Sequence, residues 1–281
     1  MGGGGIRVGI VAPASRLDPA LAEQTIALAR ALYPDKPPEL RFHPQCFLSS
    51  GHFAGDDETR ARAFLEVAND PSIDALWFAR GGYGSGRLAE RVLAGLTPAA
   101  ARKTYLGYSD AGSLLAALYT RGFSGLAHGP MPADLKRPGG EAAVRRALAY
   151  LVERAPGALE PTVSEAGLTA AFNTTVLSHL IGTPWQPDLG GHVLMLEDVS
   201  EHLYRIDRAI WHITANPAMR GIAGIRLGRC SAIPPNEPDF GQTPEQIVRY
   251  WCAVSGIAYL GPADIGHDND NKVVPFGRLT S

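Results

Sequence analysis

The chain has 281 residues, 45% of them hydrophobic and 19% charged. At about 150 residues per domain this is enough for two lobes with sizeable cores, and it is too apolar for a disordered chain. With 26 basic against 28 acidic side chains the formal charge is −2, so there is no cationic surplus of the kind that holds nucleic acid by its phosphates.

From the amino terminus, Met1 is followed by four glycines instead of a basic segment and an apolar run, and no stretch reaches 18 apolar residues. Neither a signal peptide nor a membrane span is expected. Gly2 invites a myristoylation reading, but Ile6 stands where that pattern wants Ser or Thr. Residues 6–12 read as a first strand. Asp18 and Pro19 then supply an N-cap and a first-turn proline, and Leu21, Leu28 and Leu32 mark one helical face. A second helix is predicted over 57–69, ending before Pro71, and a strand over 74–79. A loop follows, Arg80-Gly81-Gly82-Tyr83-Gly84-Ser85-Gly86. Residues 104–108 form a third strand, followed at once by an alanine- and leucine-rich helix over 110–120. Between 136 and 167 glycines and prolines surround one predicted helix at 141–154, read as the connection between lobes. The second lobe is predicted to hold a strand at 192–197, a helix at 203–213, a strand at 222–227, a helix opened by the capping box Thr243-Pro244-Glu245-Gln246, and a strand at 257–260. Alternating strands and helices of this kind predict an α/β fold: a mostly parallel amino-terminal lobe over 1–140, a linker over 141–167, and a smaller α/β carboxy-terminal lobe over 168–281. Cys46, Cys230 and Cys252 are odd in number and lack the paired spacings of a zinc site or disulfide framework, which fits a reducing, cytoplasmic setting.

The glycine-rich loop is a poor P-loop. Gly81 and Gly86 have the spacing, but Arg87 replaces the lysine and Leu88 the magnesium-binding hydroxyl. It remains a turn rich in N–H groups at the end of a strand, where open sheets place their ligands. In Gly107-Tyr108-Ser109-Asp110-Ala111 a serine between strand and helix has small residues two positions away on each side, as a sharply turned nucleophile requires. The alternative for Ser109 is an ordinary helix N-cap. A serine hydroxyl needs a base, and histidine is the usual one. Of the eight histidines, His179, His202 and His212 lie in or beside helices, His43 and His52 sit in loops without evident partners, and His128 closes a strand-like run. His267 opens a loop, Asp268-Asn269-Asp270-Asn271, that looks too polar for the core; Lys272 spoils it as a calcium loop. Glu197 ends an apolar run where a strand tip would present it, and the adjacent Asp198 should point the other way. Composition does not choose among these histidines and carboxylates.

Taken together, Arg80-Gly81-Gly82-Tyr83-Gly84, Gly107-Tyr108-Ser109-Asp110, His128-Gly129-Pro130, Gly182-Thr183-Pro184-Trp185, Leu196-Glu197-Asp198, Tyr204-Arg205-Ile206-Asp207-Arg208 and Gly266-His267 resemble, in order, the blocks of the LD-carboxypeptidases, the S66 serine peptidases. The resemblance implies a catalytic triad of Ser109, Glu197 and His267, with the backbone amides of Gly82 and Asp110 as oxyanion donors, in a cleft between two lobes. It implies release of a terminal D-alanine from a cytoplasmic muropeptide during peptidoglycan recycling, no metal or organic cofactor, and a homodimer to which the helix at 204–213 would lend an apolar face. The partner is then a muropeptide or other small peptide, with no nucleic acid and no membrane. Two departures stand out: Ala171-Phe172-Asn173 replaces a common Gly-Gly-Asn, and only fourteen residues follow His267, so short terminal strands are expected. Arg80 and Arg87 flank the loop, and either could receive a substrate carboxylate or simply brace the turn. Microcin-immunity peptidases use the same triad on peptidyl or aminoacyl nucleotide amides, but this chain shows no obvious insertion to stack a base. A reading from another class is a non-catalytic α/β protein whose loop holds a small anion.

Overall fold

The computed structural model describes residues 5–279; the Gly2 and leader readings fall outside them. The chain runs β1 (Arg7–Val11), α1 (Pro19–Leu32), β2 (Glu39–Phe42), α2 (Asp57–Asn69), β3 (Ala75–Phe78), α3 (Ala89–Gly95), β4 (Thr104–Gly107), α4 (Gly112–Tyr119), β5 (Leu126–His128) and α5 (Glu141–Glu153). It continues with β6 (Leu168–Asn173), α6 (Thr174–Leu180), β7 (His192–Val199), α7 (Leu203–Ala215), β8 (Gly224–Ser231), α8 (Pro244–Ser255), β9 (Tyr259–Pro262), β10 (Val274–Pro275) and β11 (Gly277–Arg278). The fold is α/β with two mostly parallel sheets, as the alternating pattern predicts.

The local signals work as chemistry. The Asp18 carboxylate accepts from the Ala20 amide and starts α1. Thr243 and Gln246 cap each other's backbone at the start of α8. On β3 the pleat sends Leu76 and Phe78 to one face, against α2 and α4, and Ala75 and Trp77 to the other, where α1 and α5 pack. The helix at 141–153 therefore covers the first sheet instead of bridging loosely between lobes. The helix expected from residue 110 begins as a 3₁₀ turn over Ser109–Ala111 and becomes α-helical only at Gly112.

The first sheet has the order β10-β5-β4-β3-β1-β2 and the second β11-β6-β7-β8-β9. Strand order reverses between β1 and β3, so the loops leaving their carboxyl ends diverge and open a crevice, the usual ligand position in such sheets. The two sheets share one hydrophobic core, in which Leu114 and Leu115 of α4 join Phe172, Leu177 and Phe276 of the second half. The final segment stitches the halves together. β10 pairs antiparallel with β5, Val274 opposite His128, while β11 pairs with β6.

Candidate active site

The crevice is a cavity of about 730 Å³. Loops after β1, β3, β4 and β5 line it, and His267 reaches it from the second half.

Ser109 sits immediately beyond β4 with φ +60°, a left-handed conformation that an L-residue adopts at a cost of about 1–2 kcal/mol. Its hydroxyl makes no hydrogen bond among the described residues, so it is not acting as a cap. The turn is shaped by its neighbours. Gly107 packs against the Phe78 side chain, and Ala111 is buried. Gly81 faces Ser109 so closely that a Cβ there would lie 2.9 Å from Ser109 Cβ and 3.0 Å from Oγ. Gly82, at φ +118°, also lines the cavity, against Ser15. As the second residue of a 3₁₀ turn, Asp110 leaves its amide among the donors that a helix start cannot satisfy. Its buried carboxylate ties this turn to the glycine-rich loop, accepting from the Gly84 amide at 3.2 Å and the Ser85 amide at 2.8 Å. Burial raises its pKa, opposed by these bonds and by Arg60.

Glu197, on β7, is fully buried, and its Oε2 lies 2.6 Å from His267 Nδ1. An ionised carboxylate only accepts, so Nδ1 carries the proton and Nε2 is left as the basic nitrogen. Burial pulls the His267 pKa down most strongly, but the charge and hydrogen bond of Glu197 overcome it and the value is raised. Asp198 turns away, as alternation predicts, and takes the Asn173 amide and the Thr175 hydroxyl instead. His267 and Ser109 face the same cavity without a hydrogen bond between them; such contacts often close only around substrate.

The polar composition of the loop that carries His267 predicts a solvated segment, yet Asn271 at its end is fully buried. Its Oδ1 accepts from the Gly266 amide and from His128 Nε2, both at 3.2 Å, joining the loop to β5. Arg146 on α5 donates to the Asn269 and Asn271 carbonyl oxygens. From the other side Arg229 of β8 holds Asp264 at 2.6 Å and Asp268 at 2.8 Å. Burial pulls the pKa of His128 down to about 4, so it stays neutral where His267 titrates. Tyr108 completes the surroundings: its ring centroid is 4.8 Å from that of His267, and its hydroxyl donates to Asp134 at 2.8 Å and accepts from Arg137 at 2.8 Å. The other histidines stand apart, His43 on Glu66 at 2.9 Å and His52 beside Ser15.

Models of the LD-carboxypeptidase N-terminal and C-terminal domains match residues 8–129 and 166–281. The chain belongs to the LD-carboxypeptidase family. It is accordingly a peptidase, a hydrolase of amide bonds. A Synechocystis sp. relative whose name places it among carboxypeptidases is 33% identical over 235 residues, 81% of this chain and 75% of that one. A murein tetrapeptide carboxypeptidase of Pseudomonas aeruginosa is 28% identical over 301 residues, covering 97% of this chain and 91% of its own. In fold the chain is similar to MccF solved with glutamyl sulfamoyl guanosine, at TM-score 0.79 and 18% identity over 97% of this chain and 91% of that one. It is likewise similar to a muramoyltetrapeptide carboxypeptidase from Oxalobacter formigenes, at TM-score 0.75 and 23% identity over 96% and 93%. No helix among the described residues is long and apolar enough to cross a membrane.

The supporting groups leave no local mark in the sequence: the side chains of Tyr108 and Asp110 within the serine motif, and those of Asp134, Arg137 and Asn271, each act through a partner distant in the chain.

Proposed function

We propose that the protein is a serine carboxypeptidase that cleaves an L,D-amide bond and releases a terminal D-amino acid, D-alanine, from a cytoplasmic muropeptide in peptidoglycan recycling. The observation that carries this reading is the buried Glu197–His267 pair, opposed across one cavity to a serine held at positive φ. Ser109 Oγ attacks the scissile carbonyl carbon while His267 Nε2 takes its proton, and Glu197 stabilises the imidazolium that forms. The Gly82 and Asp110 amides receive the tetrahedral oxyanion. Collapse breaks the C–N bond, and the amine leaves with the proton from Nε2. Water, deprotonated by the same nitrogen, then hydrolyses the acyl-serine ester and restores the hydroxyl.

The name of the Pseudomonas aeruginosa relative supports the choice of substrate. The likeness to MccF supports a second substrate, an aminoacyl nucleotide amide. Incubation of the purified protein with a murein tetrapeptide and, separately, with an aminoacyl sulfamoyl nucleoside tests both. D-alanine release that disappears in Ser109→Ala is the expected result. Turnover of the nucleoside alone would transfer the reading to the second substrate, and binding without turnover of either would leave a ligand-binding module.

A further inference from the structure

Two guanidiniums flank the glycine-rich loop, and their surroundings differ. Arg87 is committed to Asp57, with Nε 3.0 Å and Nη2 2.7 Å from Oδ2, and it does not line the cavity. Arg80 does line it and is exposed. Its one hydrogen bond runs from Nη1 to the Arg16 carbonyl oxygen at 3.1 Å, and it pairs with no carboxylate among the described residues. Two more cavity cations, Arg16 and Lys136, are also exposed and form no ion pair among the described residues. Of the two carboxylates in the same wall, Asp134 is paired with Arg137 and held by Tyr108 and the Met131 amide, whereas Asp18 accepts only from the neutral Ala20 amide and so offsets one of the three cations. A chain with a net charge of −2 thus gathers unpaired positive charge around one cleft. Like charges brought together weaken a fold, and a cleft that holds them focuses the field on an anionic ligand.

We propose that Arg80 receives the free carboxylate of the peptide's terminal residue, with Arg16 and Lys136 attracting further carboxylates of a multiply anionic peptide. This assignment rests on the carboxypeptidase reading above and gives it a substrate class. Position supports it. Arg80 is bonded to Gly81, which approaches the Ser109 side chain, and consecutive Cα atoms are only about 3.8 Å apart. The terminal carboxylate of such a substrate is attached, through a single carbon, to the nitrogen of the bond being cut, so it must lie close to the reacting carbonyl. With only Nη1 engaged, the Nε and Nη2 edge of Arg80 can offer two parallel N–H groups to that carboxylate.

The test crosses two enzymes with two substrates: the parent and Arg80→Gln, each given a murein tetrapeptide ending in D-alanine and the same peptide ending in D-alaninamide. Arg80→Gln is expected to lower kcat/KM on the acid by about 10- to 100-fold, mainly through KM, and to change the amide by less than about twofold. Arg87→Gln should leave the ratio of acid to amide unchanged. Equal losses on both substrates, or no loss on the acid, would overturn the assignment. Should the parent cleave neither peptide, the peptidase reading falls separately, because calorimetric binding to Ser109→Ala and to Ser109→Ala/Arg80→Gln still scores Arg80. A preference for acid over amide that vanishes in the double variant upholds its role, and one that persists refutes it.

Discussion

Glu197→Gln removes the buried carboxylate charge with which His267 pairs. In the mechanism proposed above, the transition state makes His267 an imidazolium hydrogen-bonded to that buried carboxylate, 2.6 Å from Nδ1 to Oε2. Taking about 4 Å between the charge centres and an effective dielectric near 20, the attraction is about 4 kcal/mol, which is about 10³-fold in rate. Glutamine has the same shape but can turn its N–H toward Nδ1, driving the ring proton to Nε2 and removing the base, so the expected fall in kcat/KM is about 10³- to 10⁴-fold. The pH profile moves as well. The base must be neutral, so activity rises as pH climbs through the His267 pKa. The carboxylate is what lifts that pKa above 6.5 against burial, so its loss shifts the acid limb to lower pH. D-alanine release measured across the acid and neutral range, with folding checked by thermal melting, gives both numbers. A variant within tenfold of the parent whose acid limb has not moved would refute the electrostatic argument.

Three further outcomes follow from particular contacts. Ser109→Gly and Ser109→Ala should both be inactive, but because residue 109 has φ +60° the glycine variant should be the more stable by about 1 kcal/mol in urea titrations. Gly81→Ala places a methyl 2.9 Å from Ser109 Cβ and 3.0 Å from its Oγ; kcat should fall at least tenfold, by about 1.4 kcal/mol or more in barrier, and the melting temperature should drop as the turn shifts to relieve the contact. Asn271→Ala strands the His128 Nε2 proton and the Gly266 amide in a buried site. It should cost about 2 kcal/mol or more of stability, and kcat should drop more than substrate affinity as the His267 loop loosens. Unaltered melting in this last variant would show that the loop is held by Arg146 and Arg229 without it.

Local chemistry was legible in the linear chain. The Asp18 cap, the Thr243 capping box, the helix at 57–69 and the strands around 75–78 and 104–107 each depend on residues a few positions apart, so periodicity and caps suffice to place them. Elements set by distant partners were not legible in the same way. The two-residue strands at 274–275 and 277–278 exist only because β5 and β6 offer them edges, and the polar run after His267 is held in place, with its last residue Asn271 buried, because His128, Arg146 and Arg229 bond it from three different elements. The same division runs through the site. Residue types and order point to a serine, an acid and an imidazole, but nothing local distinguishes Glu197 from Asp198 or Arg80 from Arg87. Tertiary structure separates them, since a side chain's charge acts through whatever lies within a few ångströms: an imidazole for one carboxylate, an asparagine and a threonine for the other, open cavity for one guanidinium and Asp57 for the other.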